Sequence, residues 1–219
     1  DGIEQTAGGK TLATVSFRGF RIAIPIREML VLENRMPSGR AYADYMNRLN
    51  RILGTMLGAE IDFIVKGIDS TTHSAVASRR EAMLRKRQTF YLGKDVSGNP
   101  YIYPGRLVEA RVIAVAEKVL RVEAFGIECA IFARDLSWQW VSDVRDLYSV
   151  GDRVLVRVQE ISGEDAEHLS IRADIRSTFS ETSVDNLKKC QVQSKYAGKV
   201  TDLRGGVVYI RLNNGVNAI

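Results

Sequence analysis

Aromatic rings interleaved with cations are the residues of this sequence that most clearly point to a chemistry. The segment Phe17-Arg18-Gly19-Phe20-Arg21 places two phenylalanines and two arginines around one glycine. Aromatic faces stack on unpaired bases and guanidinium groups pair with phosphates, so this pattern is typical of contacts to single-stranded nucleic acid. The alternative is a hairpin whose phenylalanines pack into a core, and the sequence leaves both possibilities open.

A second cationic group lies between Ser78 and Gln88, where five basic residues accompany the single acidic residue Glu81. The segment predicts a helix. Its cations would form a ridge that contacts phosphates, and the alternative is an ordinary solvated helix face. The five candidates are Arg79, Arg80, Arg85, Lys86 and Arg87.

Catalytic motifs are absent from the sequence. It contains neither a Gly-Lys-Ser/Thr phosphate loop nor a Gly-x-Ser-x-Gly nucleophile elbow. His73, His168, Cys129 and Cys190 are too far apart in sequence to indicate a metal-ligand set or an activated thiol. We therefore expect a protein that is not an enzyme and that needs neither a metal nor a cofactor. Two cysteines fit a reducing compartment, and the cytoplasm is the expected location.

The composition is that of a folded protein with an uneven charge. Of 219 residues, 45% are hydrophobic and 26% are charged, which excludes general disorder, and no apolar run is long enough to span a bilayer. The net charge of +5 favours polyanionic partners. Residues 1–100 carry 15 basic and 10 acidic groups, residues 101–178 carry 10 and 13, and residues 179–219 carry 6 and 3. Binding of nucleic acid must therefore be argued region by region.

Internal repeats set the organisation of the chain. The segments 58–68 and 151–161 align without gaps, and each is followed by a polar turn and a short strand that ends in arginine, Arg79 or Arg172. The segments 110–124 and 198–212 also align, with one insertion. The repeating unit thus predicts five short strands with alternating patterning, which favours a small closed barrel.

Three such units are predicted. The first covers residues 3–91 and has a helical insertion at 38–57, with the helix that begins near Ser78 as a linking helix. The second covers 104–178, and we call it the middle unit. The third covers 187–219 and is expected to be a truncated unit that stops inside its third strand.

The middle unit resembles an S1 domain, the OB-fold RNA-binding module of ribosomal protein S1 and of many RNA-processing enzymes. The resemblance rests on an ordered set of segments, and the other two units resemble degenerate or partial copies. It implies an all-β-dominated chain of tandem five-stranded OB-fold barrels of the S1 type, with an inserted helix and a linking helix in the first unit. The segments that carry it are Gly105–Val112, Gly126–Ser137, Tyr148–Val158 and His168–Arg172.

The resemblance also implies where RNA would bind. Family members bind single-stranded RNA on strands two, three and five, using an aromatic near strand two, a histidine or aromatic after strand three, and an Asp and an Arg near strand five. The corresponding positions here are Leu120, Phe132, Ser162 and Ala166, so only the aromatic after strand three is kept. For Phe132 the alternative is a core residue that plugs the barrel, and for Arg121 it is a solvated arginine. The candidate residues in this unit are Lys118, Arg121, Phe132, Arg134 and Arg172.

The first unit departs from the family pattern in other positions. Asp69 keeps the Asp position, His73 stands where the Arg would be, and Pro25 replaces the aromatic after strand three. Together with Phe17, Arg18, Phe20 and Arg21, Asp69 and His73 complete the candidate RNA-binding residues of this unit.

The insertion 38–57 predicts an amphipathic helix with Ser38 as its N-cap. Its apolar stripe would cover the first barrel or, as the alternative, dock a partner. Trp138 and Trp140 lie two residues apart in the connection between strands three and four of the middle unit, so one is expected in the core and the other as an exposed stacking or docking ring.

These observations lead to one main functional hypothesis and one alternative. The main hypothesis is a non-catalytic protein that binds single-stranded RNA through tandem barrels with little sequence specificity, with the ribosome or another RNA-bound assembly as a further partner. The alternative is a protein-interaction scaffold of a ribosome- or phage-associated assembly that uses degenerate S1 barrels. A further hypothesis, the non-catalytic region of a larger RNA-processing enzyme, also stays open.

Overall fold

The computed structural model describes residues 1–6, 11–31, 37–179 and 186–219. The first unit is a five-stranded sheet in the order β1-β2-β3-β5-β4, in which β3 and β5 are parallel and the other neighbours are antiparallel. Its strands are β1 (Gly2–Gln5), β2 (Thr11–Phe17), β3 (Phe20–Pro25), β4 (Ile64–Asp69) and β5 (Ser74–Ser78), and its helices are α1 (Ile26–Met29), α2 (Arg40–Gly54) and α3 (Arg79–Arg87).

The core of the first unit lies between this sheet and α2. Ile22 and Ile24 alternate along β3 and are buried, as the two-residue period of a strand requires. Leu49 and Leu53, four residues apart on α2, pack into the same core. The predicted apolar stripe of the insertion therefore covers the sheet. The predicted N-cap at Ser38 is wrong, because the helix begins one residue later with Gly39 as its N-cap and without a side-chain hydrogen bond.

Helix α3 follows β5 directly. The Ser78 hydroxyl accepts a hydrogen bond from the Glu81 backbone N–H at 3.0 Å, which satisfies one of the free amides at the helix start. The helix continues as one wider turn over Gln88–Leu92. The chain then crosses to the middle unit through a short segment in which the Ile102 N–H donates to the Phe90 carbonyl at 3.0 Å.

The middle unit is a nearly closed five-stranded barrel in the sheet order β10-β9-β6-β7-β8. The edge strands β8 and β10 lie close together, which brings the two ends of the sheet towards each other. Leu120 and Val122 on β7 and Ile127 and Ile131 on β8 point into the barrel and are fully buried. The strands are β6 (Leu107–Ala116), β7 (Val119–Ala124), β8 (Ile127–Phe132), β9 (Arg153–Ser162) and β10 (Ser170–Asp174).

The first and middle units share an interface that includes core residues. Strand β6 has a bulge between Val112 and Ala114 in its pairing with β7, and the residue between them, Ile113, packs into the core of the first unit with no exposed surface. A bulge turns a side chain away from its normal face, and here it sends one isoleucine into the neighbouring core. Gly126 in the β7–β8 turn lies against the backbone of α3 near Met83.

The third unit is a three-stranded antiparallel sheet. It consists of β11 (Gly198–Arg204), β12 (Val207–Leu212) and β13 (Asn217–Ala218) in sequential order. Val200 and Leu203 are exposed on it. A short helical turn at residues 186–188 precedes the sheet, and the Asn186 amide donates to the Asn214 carbonyl at 2.7 Å.

The predicted fold class is confirmed: the chain is rich in strands, with five-stranded sheets of the OB type and with both predicted helices of the first unit. One strand prediction needs correction, since the segment 58–68 becomes a strand only from Ile64 onwards. The limits 3–91, 104–178 and 187–219 stay predictions. Residues 7–10 and 32–36 of the predicted first unit lie outside the described residues.

Candidate nucleic-acid interface

A groove of about 490 Å³ opens at the end of β8 on the middle unit. Two aromatic rings, Phe132 and Trp140, and two cations, Lys118 and Arg134, line it. Ala133, Gln139 and Val141 complete the lining, so none of the described residues that line the groove is an Asp or a Glu. We call this the S1 groove. The cavity beneath α3 differs, because Glu28 and Glu81 both line it.

The strand register places Phe132 in the groove. On β8, Ile131 is buried in the barrel, so the next side chain, Phe132, points outward with 52% of its surface exposed. Phe132 lies opposite Val119 of β7. The Ala133 N–H donates to the Lys118 carbonyl at 2.9 Å, which holds the β6–β7 turn beside the strand end. The alternative in which Phe132 plugs the barrel is therefore wrong.

The two cations of the groove lie over its rings. The Lys118 ammonium is 5.8 Å from the Trp140 ring centroid, and the Arg134 guanidinium is 5.9 Å from that of Phe132. Lys118 also donates to the Ser142 carbonyl, and its nitrogen is 3.6 Å from a Glu117 oxygen. The Arg134 side chain is 82% exposed and 3.5 Å from Asp135. Exposed pairs of this kind are weak, so both cations remain available to an anionic ligand.

The other end of the β7–β8 face is covered by the first unit. Arg79 of α3 donates to Glu123 at 2.7 Å and to Glu128 at 2.8 Å, and its side chain has no exposed surface. Arg121, also on this face, is paired with Glu128 at 2.5 Å and lies 3.4 Å from the Thr55 hydroxyl of the first unit. Among the described residues of this face, Phe132 at the far end stays exposed.

Arg172 is the predicted cation on the strand-five side of the barrel. Arg172 on β10 has a side chain that is 74% exposed and 3.2 Å from Glu160. Ser162 lies opposite Ser170 at the end of the β9–β10 pair. Ala166 lies at the unit interface, where its carbonyl accepts from Arg87 at 3.0 Å. Ser162 and Ala166, which stand at the Asp and Arg positions of the family pattern, therefore contribute no charge to the S1 groove.

The hairpin of the first unit forms a second cluster of rings and cations. Phe17 is 51% exposed at the end of β2, its ring meets Phe63 edge-on at 5.8 Å, and the Arg18 guanidinium lies 5.2 Å from its centroid. Phe20 is half-buried against the core, and its ring is 5.5 Å from that of His73. Of the two predicted phenylalanines, Phe17 is thus the more accessible one.

The parallel pairing of β3 with β5 brings the remaining predicted residues of the first unit to this hairpin. The Arg21 N–H donates to the His73 carbonyl at 2.9 Å, and the Arg21 side chain pairs with Glu4. Asp69 caps the β4–β5 turn. Hydrogen bonds from the side chains of Thr71 and Thr72 and from the Thr71 N–H (2.9 Å) lower the pKa of Asp69 from 3.8 to about 2. Asp69 is therefore a turn-forming carboxylate in this structure.

The predicted ridge on α3 needs correction. Arg79 is buried as described, and Arg87 is buried with its guanidinium on the carbonyls of Gly126 (2.6 Å) and Ala166 (3.0 Å). Arg80 is partly buried and pairs with Glu167 at 2.6 Å. Arg85 alone is largely exposed, and it pairs with Glu81 one turn away at 2.8 Å.

Lys86 of α3 joins the unit interface through Asp62, which also pairs with Arg111 of β6. Burial raises the pKa of Asp62, but the hydrogen bonds and charges of Lys86 and Arg111 outweigh it and hold the pKa below its ordinary value. Most cations of α3 thus join the first unit to the middle unit. The arginine-rich sequence indicated the helix correctly, but a buried acidic partner on a distant strand gives no local signal.

Trp140 is the groove residue that the sequence prediction did not assign to the site. The sequence predicts one of Trp138 and Trp140 in the core and the other as an exposed stacking or docking ring. It does not say which is which, because a connection without regular structure has no periodicity that shows where its side chains point. In the structure Trp140 is exposed at 43%, and Trp138 is half-buried.

The described residues hold no group of three or more His, Cys, Asp or Glu side chains that could bind a metal ion. Within the same described ranges, no helix has both the length and the apolar composition needed to cross a membrane.

Comparison with known proteins places this groove within a recognised module. Residues 102–172 match the family model of the S1 RNA binding domain, and the middle unit is an S1 domain. The chain is also 21% identical over 166 residues to the small ribosomal subunit protein bS1 of Coxiella burnetii (strain RSA 493 / Nine Mile phase I). That alignment covers 76% of this chain and 29% of the relative, so the chain spans less than a third of the relative's length.

One solved structure with a similar part comes from the a/eIF2alpha–aDim2p–rRNA complex of Pyrococcus horikoshii OT3. The similarity has a TM-score of 0.33 and 20% sequence identity, and it covers 41% of this chain and 53% of that chain.

Proposed function

We propose that this chain is a non-catalytic RNA-binding protein that holds single-stranded RNA in the S1 groove with little sequence preference. The observation that carries the proposal is the lining of the groove, where Phe132 and Trp140 provide stacking faces and Lys118 and Arg134 provide charge. Bases of any identity have a face that can stack, and phosphates pair with cations whatever the sequence. The match of residues 102–172 to the S1 RNA binding domain supports the same ligand.

The hairpin of the first unit is the second contact in this proposal. Phe17 and Arg18 repeat the combination of an exposed ring and a cation on the same chain. Two weak sites on one folded chain bind a long strand more tightly than either alone, because the second contact forms at a high effective concentration. We also propose that the RNA belongs to a ribosome or a similar assembly in the cytoplasm, since the relative is a small ribosomal subunit protein.

The first test removes one stacking face. Phe132→Ala should weaken binding of a labelled, unstructured pyrimidine RNA by roughly 5- to 150-fold, since stacking on a ring contributes about 1–3 kcal/mol per base. Fluorescence anisotropy at fixed salt measures this. The matched control is Tyr103→Ala, because Tyr103 is also an exposed ring with an arginine, Arg106, 5.7 Å from its centroid, but it does not line the S1 groove.

The control should bind RNA as the unchanged protein does. Equal affinity of the Phe132→Ala and unchanged proteins, or equal losses in the two variants, would contradict the proposed site. A duplex of the same sequence should bind more weakly than the single strand, because its bases are already stacked on one another and cannot reach the rings.

A further inference from the structure

Trp140 has a second contact that the S1 groove does not explain. Its ring is stacked on Tyr209 of β12, with centroids 5.0 Å apart and planes within 7° of parallel. Its indole N–H donates to the Asp202 carboxylate of β11 at 3.1 Å. The third sheet therefore fixes both the plane and the rotation of a ring that belongs to the wall of the groove.

The groove also continues past this ring. A cleft of about 540 Å³ lies between the S1 domain and the third sheet, and it shares Arg134, Gln139 and Trp140 with the S1 groove. Trp138 and Arg176 line the cleft as well. None of the described residues that line it is an Asp or a Glu. Asp135 lies behind Arg134 and Arg176, at 3.5 and 3.8 Å, and Asp202 accepts from the Trp140 indole, so rings and cations form the lining of both cavities while the nearest carboxylates pair with lining residues.

The far part of the cleft has the same arrangement as Phe132 and Arg134, an aromatic ring with an arginine guanidinium close to its face. The Arg176 guanidinium lies 4.6 Å from the centroid of Trp138, and the Trp138 indole donates to the Phe179 carbonyl at 3.2 Å. The third sheet also contacts the backbone of this residue, since the Asn217 amide donates to the Trp138 carbonyl at 3.3 Å. The sheet thus touches both tryptophans of the chain, and the sequence contains no others.

We infer that the third sheet forms one side of the RNA site. Tyr209 is a positioning residue that holds Trp140 as a stacking wall, and a single strand bound at Phe132 continues over Trp140 into the cleft beside Trp138. This inference rests on the proposed function, because it concerns how the same RNA strand is held. It adds a second part to the site, which the S1 domain and the third sheet line together and which depends on contact between these two parts of the chain.

The test uses Trp140 as a fluorescent reporter. In a Trp138→Phe protein, Trp140 is the only tryptophan, and its emission reports its surroundings. RNA binding should reduce acrylamide quenching of this emission. Tyr209→Ala in the same background should shift the emission and weaken RNA binding at least about fivefold, the low end of one stacking contact. Tyr209→Phe keeps the ring and should restore both the Trp140 emission and the RNA affinity.

The salt dependence separates positioning from loss of charge. Tyr209→Ala removes no cation, so its salt slope should equal that of the unchanged protein although its affinity is lower. Circular dichroism shows whether the third sheet is intact. If it is lost in Tyr209→Ala, the quenching experiment with Tyr209 present decides the question.

Two results would overturn the inference. One is unchanged RNA affinity in Tyr209→Ala although the Trp140 emission has shifted. The other is unchanged quenching of Trp140 when anisotropy shows that RNA is bound. Failure of the proposed function gives a different result, since then the protein with Tyr209 and Phe132 intact would not bind the single strand at all.

Discussion

The guanidinium of Arg79 is fully buried, and both charge and hydrogen bonds hold it there. It donates to Glu123 and Glu128 of the S1 domain and to the Met29 carbonyl of the first unit at 2.8 Å. The Glu123 side chain is itself 2% exposed. A buried charge has lost its hydration, and only an oppositely charged partner compensates for that loss. If one member of the pair is removed, the other therefore destabilises the fold. We therefore expect this pair to favour one fit between the two units.

Arg79→Leu should lower the free energy of unfolding by about 3–5 kcal/mol, since it leaves Glu123 buried without its main partner. Urea unfolding followed by circular dichroism measures this. The control is Arg85→Ala, which removes a largely exposed pair with Glu81 and should cost less than about 0.5 kcal/mol. The double variant Arg79→Leu with Glu123→Leu should recover part of the loss. Equal effects of Arg79→Leu and Arg85→Ala would show that the buried pair does not hold the interface.

At the scale of elements, the β7–β8 turn meets α3 at Gly126. The residue has φ +89°, and a Cβ added there would lie 2.3 Å from the Met83 carbonyl oxygen. This oxygen is backbone and cannot rotate away. The turn and the helix can therefore pack this closely only if residue 126 has no side chain.

Gly126→Ala should destabilise the protein more than Gly105→Ala does. Gly105 has a similar φ of +93°, but nothing lies within 4 Å of an added Cβ. The control therefore measures the conformational cost alone, about 1–2 kcal/mol, and the excess in Gly126→Ala measures the clash with α3. Thermal unfolding of the two variants gives the comparison. Equal shifts in Tm would mean that the helix moves aside without cost.

The elements of this fold follow from local patterns, whereas the interface between units does not. Alternating apolar residues predicted β7 and β8, and the four-residue spacing of Leu49 and Leu53 predicted α2. The sequence left Phe132 open between the surface and the barrel core, and the buried Ile131 beside it in the structure decides for the surface. The roles of Arg79 and Ile113 could not be predicted, because both depend on residues far away in sequence. The local sequence around Arg79 is the same whether an arginine is buried or on the surface. For Ile113, a one-residue bulge turns the side chain from its own barrel to the neighbouring core.

At the scale of the whole molecule, local charge decides where an anion can bind. The S1 domain lies in the region where acidic residues outnumber basic ones by 13 to 10. Several of its carboxylates are occupied, however, as Glu123 and Glu128 face Arg79 and Asp174 accepts from Gln159 at 2.8 Å. The groove cations Lys118 and Arg134 lie only in weak, exposed pairs with Glu117 and Asp135, so they remain accessible. A net charge that is negative over the region is therefore compatible with a cationic groove.

The salt dependence of binding should reveal how many cations act. Each phosphate contact with a single strand contributes about 0.7 to the slope of log affinity against log salt. Replacing Lys118 and Arg134 together with alanine should reduce the slope by roughly 1.4, because both lie in the S1 groove. Arg40→Ala with Arg51→Ala makes the same change of charge at exposed positions on α2. A change of slope in the Lys118/Arg134 variant without one in the Arg40/Arg51 variant means that the strand lies in the S1 groove, between Phe132 and Trp140. Equal changes of slope in both variants would instead mean that RNA responds to the overall charge of the protein.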